Sequence, residues 1–182
     1  ITTPFKVIPN AINSDFWNRD NIVSRDKKSF LTVLGKGQAL IKGLDLIIEL
    51  ANKFPDCKFY VAGIDSINDL KNRNNIFFKG RLSSEELRVL YSQSQYYLQL
   101  SNSEGFGVAL CEAMLCQCIP IVSNVNVLSD IIGDSGFVLE KRDVNMLHTL
   151  INSALESDIS ILENKSRNRV KDDYTLENRK QL

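Results

Sequence analysis

Two glutamates stand eight positions apart across a glycine-flanked turn. The segment reads Ser101-Asn102-Ser103-Glu104-Gly105-Phe106-Gly107-Val108-Ala109-Leu110-Cys111-Glu112. Gly105 and Gly107 have no Cβ, so the backbone can turn sharply there and approach a ligand closely. The N–H groups of residues 107–109 would then form a helix N-terminus, which suits a phosphate group. Because carboxylates accept hydrogen bonds from sugar hydroxyls, Glu104 and Glu112 could hold hydroxyl-bearing groups on either side of a diphosphate.

The spacing alone is not diagnostic, because two glutamates eight residues apart also occur on solvated helix faces. A second group of residues that could take part in chemistry lies between the first strong predicted strand and the first predicted helix. This segment reads Gly35-Lys36-Gly37-Gln38-Ala39-Leu40-Ile41-Lys42-Gly43. Lys36 and Lys42 are flexible point charges beside glycines and could neutralise negative charge on a departing phosphate. Such a pair is also typical of a solvated loop.

A third candidate is Arg81, which follows the third predicted strand and precedes the capping-box sequence Ser83-Ser84-Glu85-Glu86. A guanidinium at this turn could stack on a nucleotide base. An arginine exposed to solvent at a strand-to-helix turn is the alternative.

These residues lie between short β-rich runs and amphipathic helical patterns. The runs predict strands at residues 30–34, 58–62, 76–79, 96–100, 119–123 and 137–139. Helices are predicted at 43–54, after the capping box at Ser83, and at 143–154. The alternation predicts an α/β fold, with a Rossmann-like parallel sheet covered by helices on both faces and a ligand site at the carboxyl ends of the strands.

Composition fits one such domain. The chain has 182 residues, with 22 Lys plus Arg and 22 Asp plus Glu. The zero net charge gives no indication of a nucleic-acid partner, so any phosphate site must be local. The four cysteines show no paired metal-ligand spacing, and three cluster near one apolar helix, which favours reduced core thiols in a cytoplasmic protein.

The segment around the two glutamates resembles the Glu-x7-Glu motif of retaining glycosyltransferases of family 4, also called group 1, which have the GT-B fold. The loop at 35–43 is similar to the family's Gly-Arg-x-x-x-x-x-Lys-Gly, with Lys36 at the arginine position and Lys42 at the lysine position. The resemblance runs from Val7 to about Leu176. It implies the C-terminal, donor-binding half of a two-domain enzyme that transfers a sugar from a nucleoside diphosphate with retention of anomeric configuration.

The resemblance also implies roles for single residues. Glu104 and the N–H groups of Phe106 and Gly107 would position sugar hydroxyls, and the N–H groups of Val108 and Ala109 would meet phosphate. Glu112 would bind the ribose. Lys36 and Lys42 would stabilise the leaving diphosphate beside Gly35, and the Arg81 loop would hold the base. Lys36 lacks the bidentate fork of arginine. Because the chain has no Asp-x-Asp, we expect no metal and no cofactor apart from the nucleotide-sugar substrate.

The same resemblance sets the expected domain organisation. Residues 1–20 would be an interdomain linker and the start of the domain, residues 21–160 the nucleotide-sugar-binding domain, and residues 161–182 a helical tail packing toward an absent N-terminal domain. That absent domain would bind most of a carbohydrate or lipid-linked acceptor, so this chain alone is expected to be inactive. Polysaccharide or glycolipid assembly is common in the family, which leaves peripheral association with the inner face of the cytoplasmic membrane open.

Two other classes of function stay open. The chain could be a non-catalytic nucleotide- or sugar-binding module, or another GT-B enzyme such as a nucleotide-sugar epimerase or a phosphorylase. A dinucleotide-dependent dehydrogenase fits less well, because Gly35, Gly37 and Gly43 lack the Gly-x-Gly-x-x-Gly spacing.

Overall fold

Six parallel strands form one sheet in the order β3-β2-β1-β4-β5-β6. The computed structural model describes residues 10–35, 37–66 and 74–181. The strands are β1 (Asp26–Val33), β2 (Lys58–Ala62), β3 (Ile76–Phe78), β4 (Ser94–Gln99), β5 (Ile119–Ser123) and β6 (Phe137–Leu139). The order changes direction between β1 and β4. In open parallel sheets such a switch point opens a crevice at the carboxyl ends of the two strands.

Seven helices accompany these strands within the described ranges: α1 (Leu44–Lys53), α2 (Ser84–Gln93), α3 (Val108–Leu115), α4 (Leu128–Ile132), α5 (Val144–Glu156), α6 (Ile159–Asp173) and α7 (Leu176–Gln181). The capping box predicted before α2 is present, because Ser83 Oγ accepts from the Glu86 N–H and the Glu86 carboxylate accepts from the Ser83 N–H. Asp143 caps α5 by accepting from the N–H groups of Asn145 and Met146. Local sequence therefore sets where these two helices begin.

The sheet separates two apolar clusters, because successive strand residues point to opposite faces. Phe30 and Tyr96 pack with α1 and α5 on one face. Leu31 and Tyr97 pack with α2, α3, α4 and α6 on the other. The parallel sheet with helices on both faces confirms the predicted fold class.

Two strands begin earlier than predicted. β1 begins at Asp26 instead of residue 30, and β4 begins at Ser94 instead of residue 96. Both extensions contain polar residues that break the apolar run, yet Ser29 and Gln95 are buried. Ser29 Oγ accepts a hydrogen bond from the Gln95 backbone N–H, so the buried hydroxyl of β1 is paired with the main chain of β4.

The polar segment after residue 159 forms α6, which packs against α3, α4 and β5 and buries Val170. Its end contacts the beginning of the described chain, because the Ile12 N–H donates to the Tyr174 carbonyl at 2.8 Å and Ile12 pairs with Thr175 in a parallel bridge. The expected contact between residues 161–182 and a second domain stays a prediction. No described helix combines the length and apolarity that crossing a bilayer requires.

Candidate functional site

A cavity of about 280 Å³ lies at the carboxyl edge of the sheet, beside the switch point between β1 and β4. We call it the donor cavity, after the role that the sequence resemblance implies for its residues. It is lined by Asn10, Val33, Gly35, Gln38, Lys42, Gln99, Glu104, Phe106, Gly107, Val108 and Ala109. The predicted residues Gly35, Lys42 and Glu104 and the segment 106–109 therefore meet in one place, although 62 positions separate Lys42 from Glu104.

The N-terminus of α3 forms one wall of the donor cavity. Its N-cap residue, Gly107, has φ +97°, and no side chain caps the helix. Residues other than glycine rarely adopt this backbone conformation, and a Cβ added at Gly107 would lie 3.1 Å from a Leu128 methyl group. The N–H groups of the first turn, at Val108 and Ala109, thus point toward the cavity without a capping side chain, as an anion site at a helix N-terminus requires.

Lys42 and Glu104 form an ion pair at the opposite wall, between Lys42 Nζ and Glu104 Oε2. Both side chains are largely buried, at 17% and 13% exposure. The same carboxylate oxygen accepts from Gln99 Nε2 at 2.6 Å. Glu104 Oε1 accepts only from the Gly105 N–H, at 3.2 Å, among the described contacts. Oε2 is therefore occupied by protein donors, and Oε1 has capacity for a ligand hydroxyl.

Backbone contacts between two loops place Lys42 beside Glu104. The Asn102 N–H donates to the Ile41 carbonyl at 2.8 Å. Gly43 has φ +83°, and a Cβ there would stand 2.2 Å from the Leu100 carbonyl oxygen. Only glycine allows the two backbones to approach this closely. The loop after β1 and the loop after β4 are thus joined on both sides of Lys42.

Glu112 lies apart from the donor cavity, one turn further along α3. It lines a neighbouring groove of about 400 Å³ with Asn13, Phe16, Trp17, Ser84 and Glu85. Tyr91 Oη shares its single hydrogen between the Ala109 carbonyl at 3.2 Å and Glu112 Oε2 at 3.4 Å. Burial raises the pKa of Glu112 from 4.5 to about 7, and the Tyr91 hydrogen bond offsets only part of this shift. The structure therefore separates the two glutamates by the first turns of α3.

The other predicted residues are placed as follows. Lys36 lies outside the described residues. Arg81 is exposed in the loop between β3 and α2 and does not line the donor cavity. Its neighbour Gly80 is tied to the end of β2, because its carbonyl accepts from the Gly63 N–H at 2.6 Å. Gly105 lies at the turn before Phe106 and contacts the Glu104 carboxylate through its N–H.

Sequence reasoning missed Gln99, which supports the site from inside the sheet. It is 5% exposed at the end of β4, and its Oε1 accepts from Tyr97 Oη at 3.1 Å while its Nε2 donates to Glu104. The signal was present in the sequence, since Gln99 is a polar residue at the carboxyl end of an otherwise apolar strand run. Gln38 also lines the cavity and was not identified as a candidate.

Metal-ligating side chains do not cluster in the described part of the chain: no group of three or more His, Cys, Asp or Glu residues is arranged to hold an ion. All four cysteines are buried and unbridged. Burial raises the pKa of the Cys111 and Cys118 thiols to about 12, so these side chains are protonated and behave as apolar core groups.

Two of the curated proteins that are similar in sequence are named mannosyltransferases. The chain is 34% identical over 83 residues to the O-antigen chain mannosyltransferase B of Escherichia coli, covering 46% of this chain and 22% of that protein. It is 32% identical over 117 residues to the GDP-mannose:cellobiosyl-diphosphopolyprenol alpha-mannosyltransferase of Xanthomonas oryzae pv. oryzae (strain PXO99A), covering 58% and 31%. The chain thus spans about a quarter to a third of the length of these relatives.

Solved structures share the fold. Sucrose-phosphate synthase from Thermosynechococcus elongatus superimposes with a TM-score of 0.83 at 21% identity, covering 96% of this chain and 49% of that one. Anabaena HepE, solved in complex with UDP and glucose, superimposes with a TM-score of 0.79 at 16% identity, covering 97% and 54%. The chain therefore has the fold of one half of a GT-B glycosyltransferase, as the sequence predicted.

The family model for "Glycosyl transferases group 1" matches residues 16–173, which contain the whole sheet and, apart from Asn10 and Asn13, the residues that line the donor cavity and the Glu112 groove. This match covers most of the chain. The chain therefore belongs to the glycosyl transferases group 1 family.

Proposed function

We propose that this chain is the donor-binding part of a retaining glycosyltransferase of family 4, which moves a hexose from a nucleoside diphosphate to a carbohydrate or lipid-linked acceptor. The observation that supports this most directly is the donor cavity. It brings a buried cation, Lys42, a buried carboxylate, Glu104, and the uncapped N-terminus of α3 together around a space of about 280 Å³. The cation and the helix N-terminus suit a diphosphate, and the carboxylate suits the hydroxyl groups of a sugar.

In this proposal the leaving diphosphate lies between Lys42 and the first turn of α3. As the glycosidic bond breaks, negative charge grows on the phosphate oxygens. The N–H groups of Val108 and Ala109 and the Lys42 ammonium stabilise that charge in a largely buried setting, where fixed donors are most effective. Lys36 is proposed as a second cation at the same phosphates. No metal ion and no cofactor are required in this scheme, because these protein groups supply the positive charge.

Glu104 is proposed to orient the sugar. Its Oε2 is engaged by Lys42 and Gln99, so Oε1 is the oxygen that accepts from a sugar hydroxyl. The Phe106 and Gly107 N–H groups contribute on the same side. Fixing the hydroxyls fixes the anomeric carbon relative to the phosphate, and such positioning contributes much of the rate enhancement in group transfer.

Glu112 is proposed to accept from the ribose hydroxyls, with the nucleotide crossing the first turns of α3 from the donor cavity to the Glu112 groove. A protonated carboxyl near its pKa of about 7 can both donate to and accept from a hydroxyl. Arg81 lies on the exposed loop before α2 and is proposed to contact the base.

The donor we propose to test first is GDP-mannose, because the two sequence relatives described above are named mannosyltransferases and the name of one specifies GDP-mannose. The acceptor is proposed to contact mainly a preceding domain, with residues 1–20 as the connection, 21–160 as the donor domain and 161–182 as the tail. We propose a cytoplasmic location with peripheral membrane association of the whole enzyme.

Calorimetric titration of this chain with GDP, UDP and ADP, in the presence of a chelator, tests the proposal. We expect one diphosphate to bind, with affinity at least about tenfold weaker in Lys42→Ala, since one charge-assisted contact is worth roughly 1.5–3 kcal/mol. Lys53→Ala, which removes an exposed lysine at the end of α1, is the matched control and should bind as wild type does. Binding that requires a divalent metal would overturn the metal-free scheme.

Transfer activity separates the enzyme from a non-catalytic binding module. Full-length protein incubated with the bound nucleotide's sugar derivative and lipid-linked or oligosaccharide acceptors should release the free diphosphate. Nucleotide binding without any transfer would favour the regulatory-module alternative, and conversion of the free nucleotide-sugar would favour an epimerase.

A further inference from the structure

A second cavity, of about 530 Å³, lies at the edge of the sheet opposite the donor cavity. We call it the rear cavity. It lies where β1 and β4 begin and α6 starts, and Arg19, Lys27, Gln95 and Glu163 are among its lining residues. Gln95 is the second residue of β4 and Gln99 is its last, and four residues of extended chain span about 13 Å. The rear cavity is therefore separate from the site of sugar transfer.

Two buried polar atoms beside the rear cavity have unmet hydrogen-bonding capacity. Across residues 10–35, 37–66 and 74–181, the buried side-chain atoms without a partner are Arg19 Nε and Gln95 Oε1, and both residues line this cavity. Gln95 is fully buried. Its amide orientation is set by Glu163, which accepts from Gln95 Nε2 at 2.9 Å, so Oε1 is the atom left over. Buried donors and acceptors are rarely left unpaired, since the cost of desolvating them is then not recovered.

The charge balance of the rear cavity is positive. Arg25 is 4% exposed and donates to the carbonyls of Ser92, Cys116 and Gln117, so it belongs to the framework, and the Glu163 carboxylate at 3.1 Å balances its charge. Arg19 stands 3.9 Å from the other Glu163 oxygen, which is too long for a hydrogen bond. Arg19 and Lys27 thus remain as cations whose charge the single lining carboxylate does not cancel.

We infer that the rear cavity is a binding site for a small anion that also carries hydroxyl groups, such as a phosphorylated sugar. The anionic group pairs with Arg19 and Lys27, because guanidinium and ammonium groups are the side chains that bind phosphate best. A small side-chain movement at the cavity wall exposes Gln95 Oε1. A ligand hydroxyl then donates to this acceptor, which a bare anion cannot do. Ile22 and Ile159 supply apolar contact for the carbon skeleton, and the volume suits a molecule of this size.

Ligand-observed NMR titration with glucose 6-phosphate, glucose and inorganic phosphate tests this site. We expect glucose 6-phosphate to bind at least about tenfold more tightly than glucose or inorganic phosphate. Only the sugar phosphate carries both the anionic group and the hydroxyl groups that the site is proposed to bind. Excess GDP or UDP should not displace it, since the donor cavity lies at the other edge of the sheet. Displacement by nucleotide, or no binding at concentrations up to about 10 mM, as for a cavity that holds only water, would overturn the inference.

Substitutions of lining and non-lining residues test whether the ligand binds in the rear cavity. Lys27→Ala should weaken binding about fivefold or more, as loss of one phosphate contact does, whereas Lys28→Ala should leave it unchanged, because adjacent strand residues point to opposite faces and Lys28 does not line the cavity. Gln95→Leu should abolish the advantage of the sugar phosphate over inorganic phosphate. Equal affinities in wild type, Lys27→Ala and Lys28→Ala would refute the site even if Gln95→Leu failed to fold.

Discussion

Replacing Glu112 with glutamine should stabilise the protein at high pH and have little effect at low pH. The cause is burial, which raises the pKa of this carboxyl from 4.5 to about 7. Below pH 4.5 the carboxyl is protonated in both the folded and the unfolded chain. Above that pH the unfolded chain releases the proton while the folded chain retains it, so stability falls as pH rises from about 4.5 to 7 and stays reduced above that range.

The magnitude follows from the shift. Each pKa unit corresponds to about 1.4 kcal/mol, so a difference of about 2.5 units gives a ceiling near 3.4 kcal/mol at pH 8. Glu112 is only half-buried, and solvent screens part of this cost, so we expect about 1.5–2 kcal/mol. Glutamine is close in shape, cannot ionise, and can still accept from Tyr91 Oη.

Urea unfolding of wild type and Glu112→Gln at pH 5 and pH 8 measures how much Glu112 lowers the free energy of unfolding. The variant should gain about 1.5–2 kcal/mol over wild type at pH 8 and less than about 1 kcal/mol at pH 5. Glu49→Gln, on the exposed face of α1, controls for the loss of a carboxylate from the surface. Equal effects of Glu112→Gln at the two pH values, or a loss of stability at pH 8, would refute the assignment of Glu112 as a carboxyl whose pKa is raised by burial.

Three further substitutions, one of them with a matched control variant, test the donor cavity and its support. Lys42→Ala in the full-length enzyme should lower kcat/KM at least about tenfold with unchanged urea unfolding, and unchanged kinetics would contradict the phosphate role. Gln99→Leu should weaken nucleotide-sugar binding about tenfold but nucleotide diphosphate binding less than about twofold, because it acts on the Glu104 carboxylate; equal losses in calorimetry would assign it a purely structural role. Gly43→Ala should cost more than about 3 kcal/mol, because its Cβ would lie 2.2 Å from a carbonyl oxygen. Gly37→Ala, also at positive φ but with nothing within 4 Å, should cost only about 1–2 kcal/mol, and similar unfolding midpoints for the two would refute the close-approach argument.

The parts of the fold that sequence could predict are those where local chemistry determines the outcome. The strand at 119–123 is a continuous apolar run with matching bounds, and Ser83 with Glu86 marks the start of α2. The sequence could also predict that Lys42 and Glu104 lie close together, because the carboxyl ends of parallel strands share one edge of the sheet.

Other features depend on partners that no local pattern reveals. The beginnings of β1 and β4 were missed because the Ser29 hydroxyl and the Gln95 backbone N–H pair only once the two strands lie side by side. The partial burial of Glu112 could not be derived from the spacing of the two glutamates, since its surroundings come from distant residues: Trp17 lines the same groove and Tyr91 hydrogen-bonds to the carboxylate. In each case a contact between distant segments decides where a polar group lies.

The junction between the loop after β1 and the loop after β4 has an evolutionary consequence. Because the Asn102 N–H is bound to the Ile41 carbonyl and Gly43 lies against Leu100, neither loop can gain or lose a residue without breaking the other's register. Insertions and deletions in the two loops should therefore arise together among homologues, as paired changes in length. A homologue that alters one loop alone is expected to have lost either the cation or the carboxylate of the donor cavity.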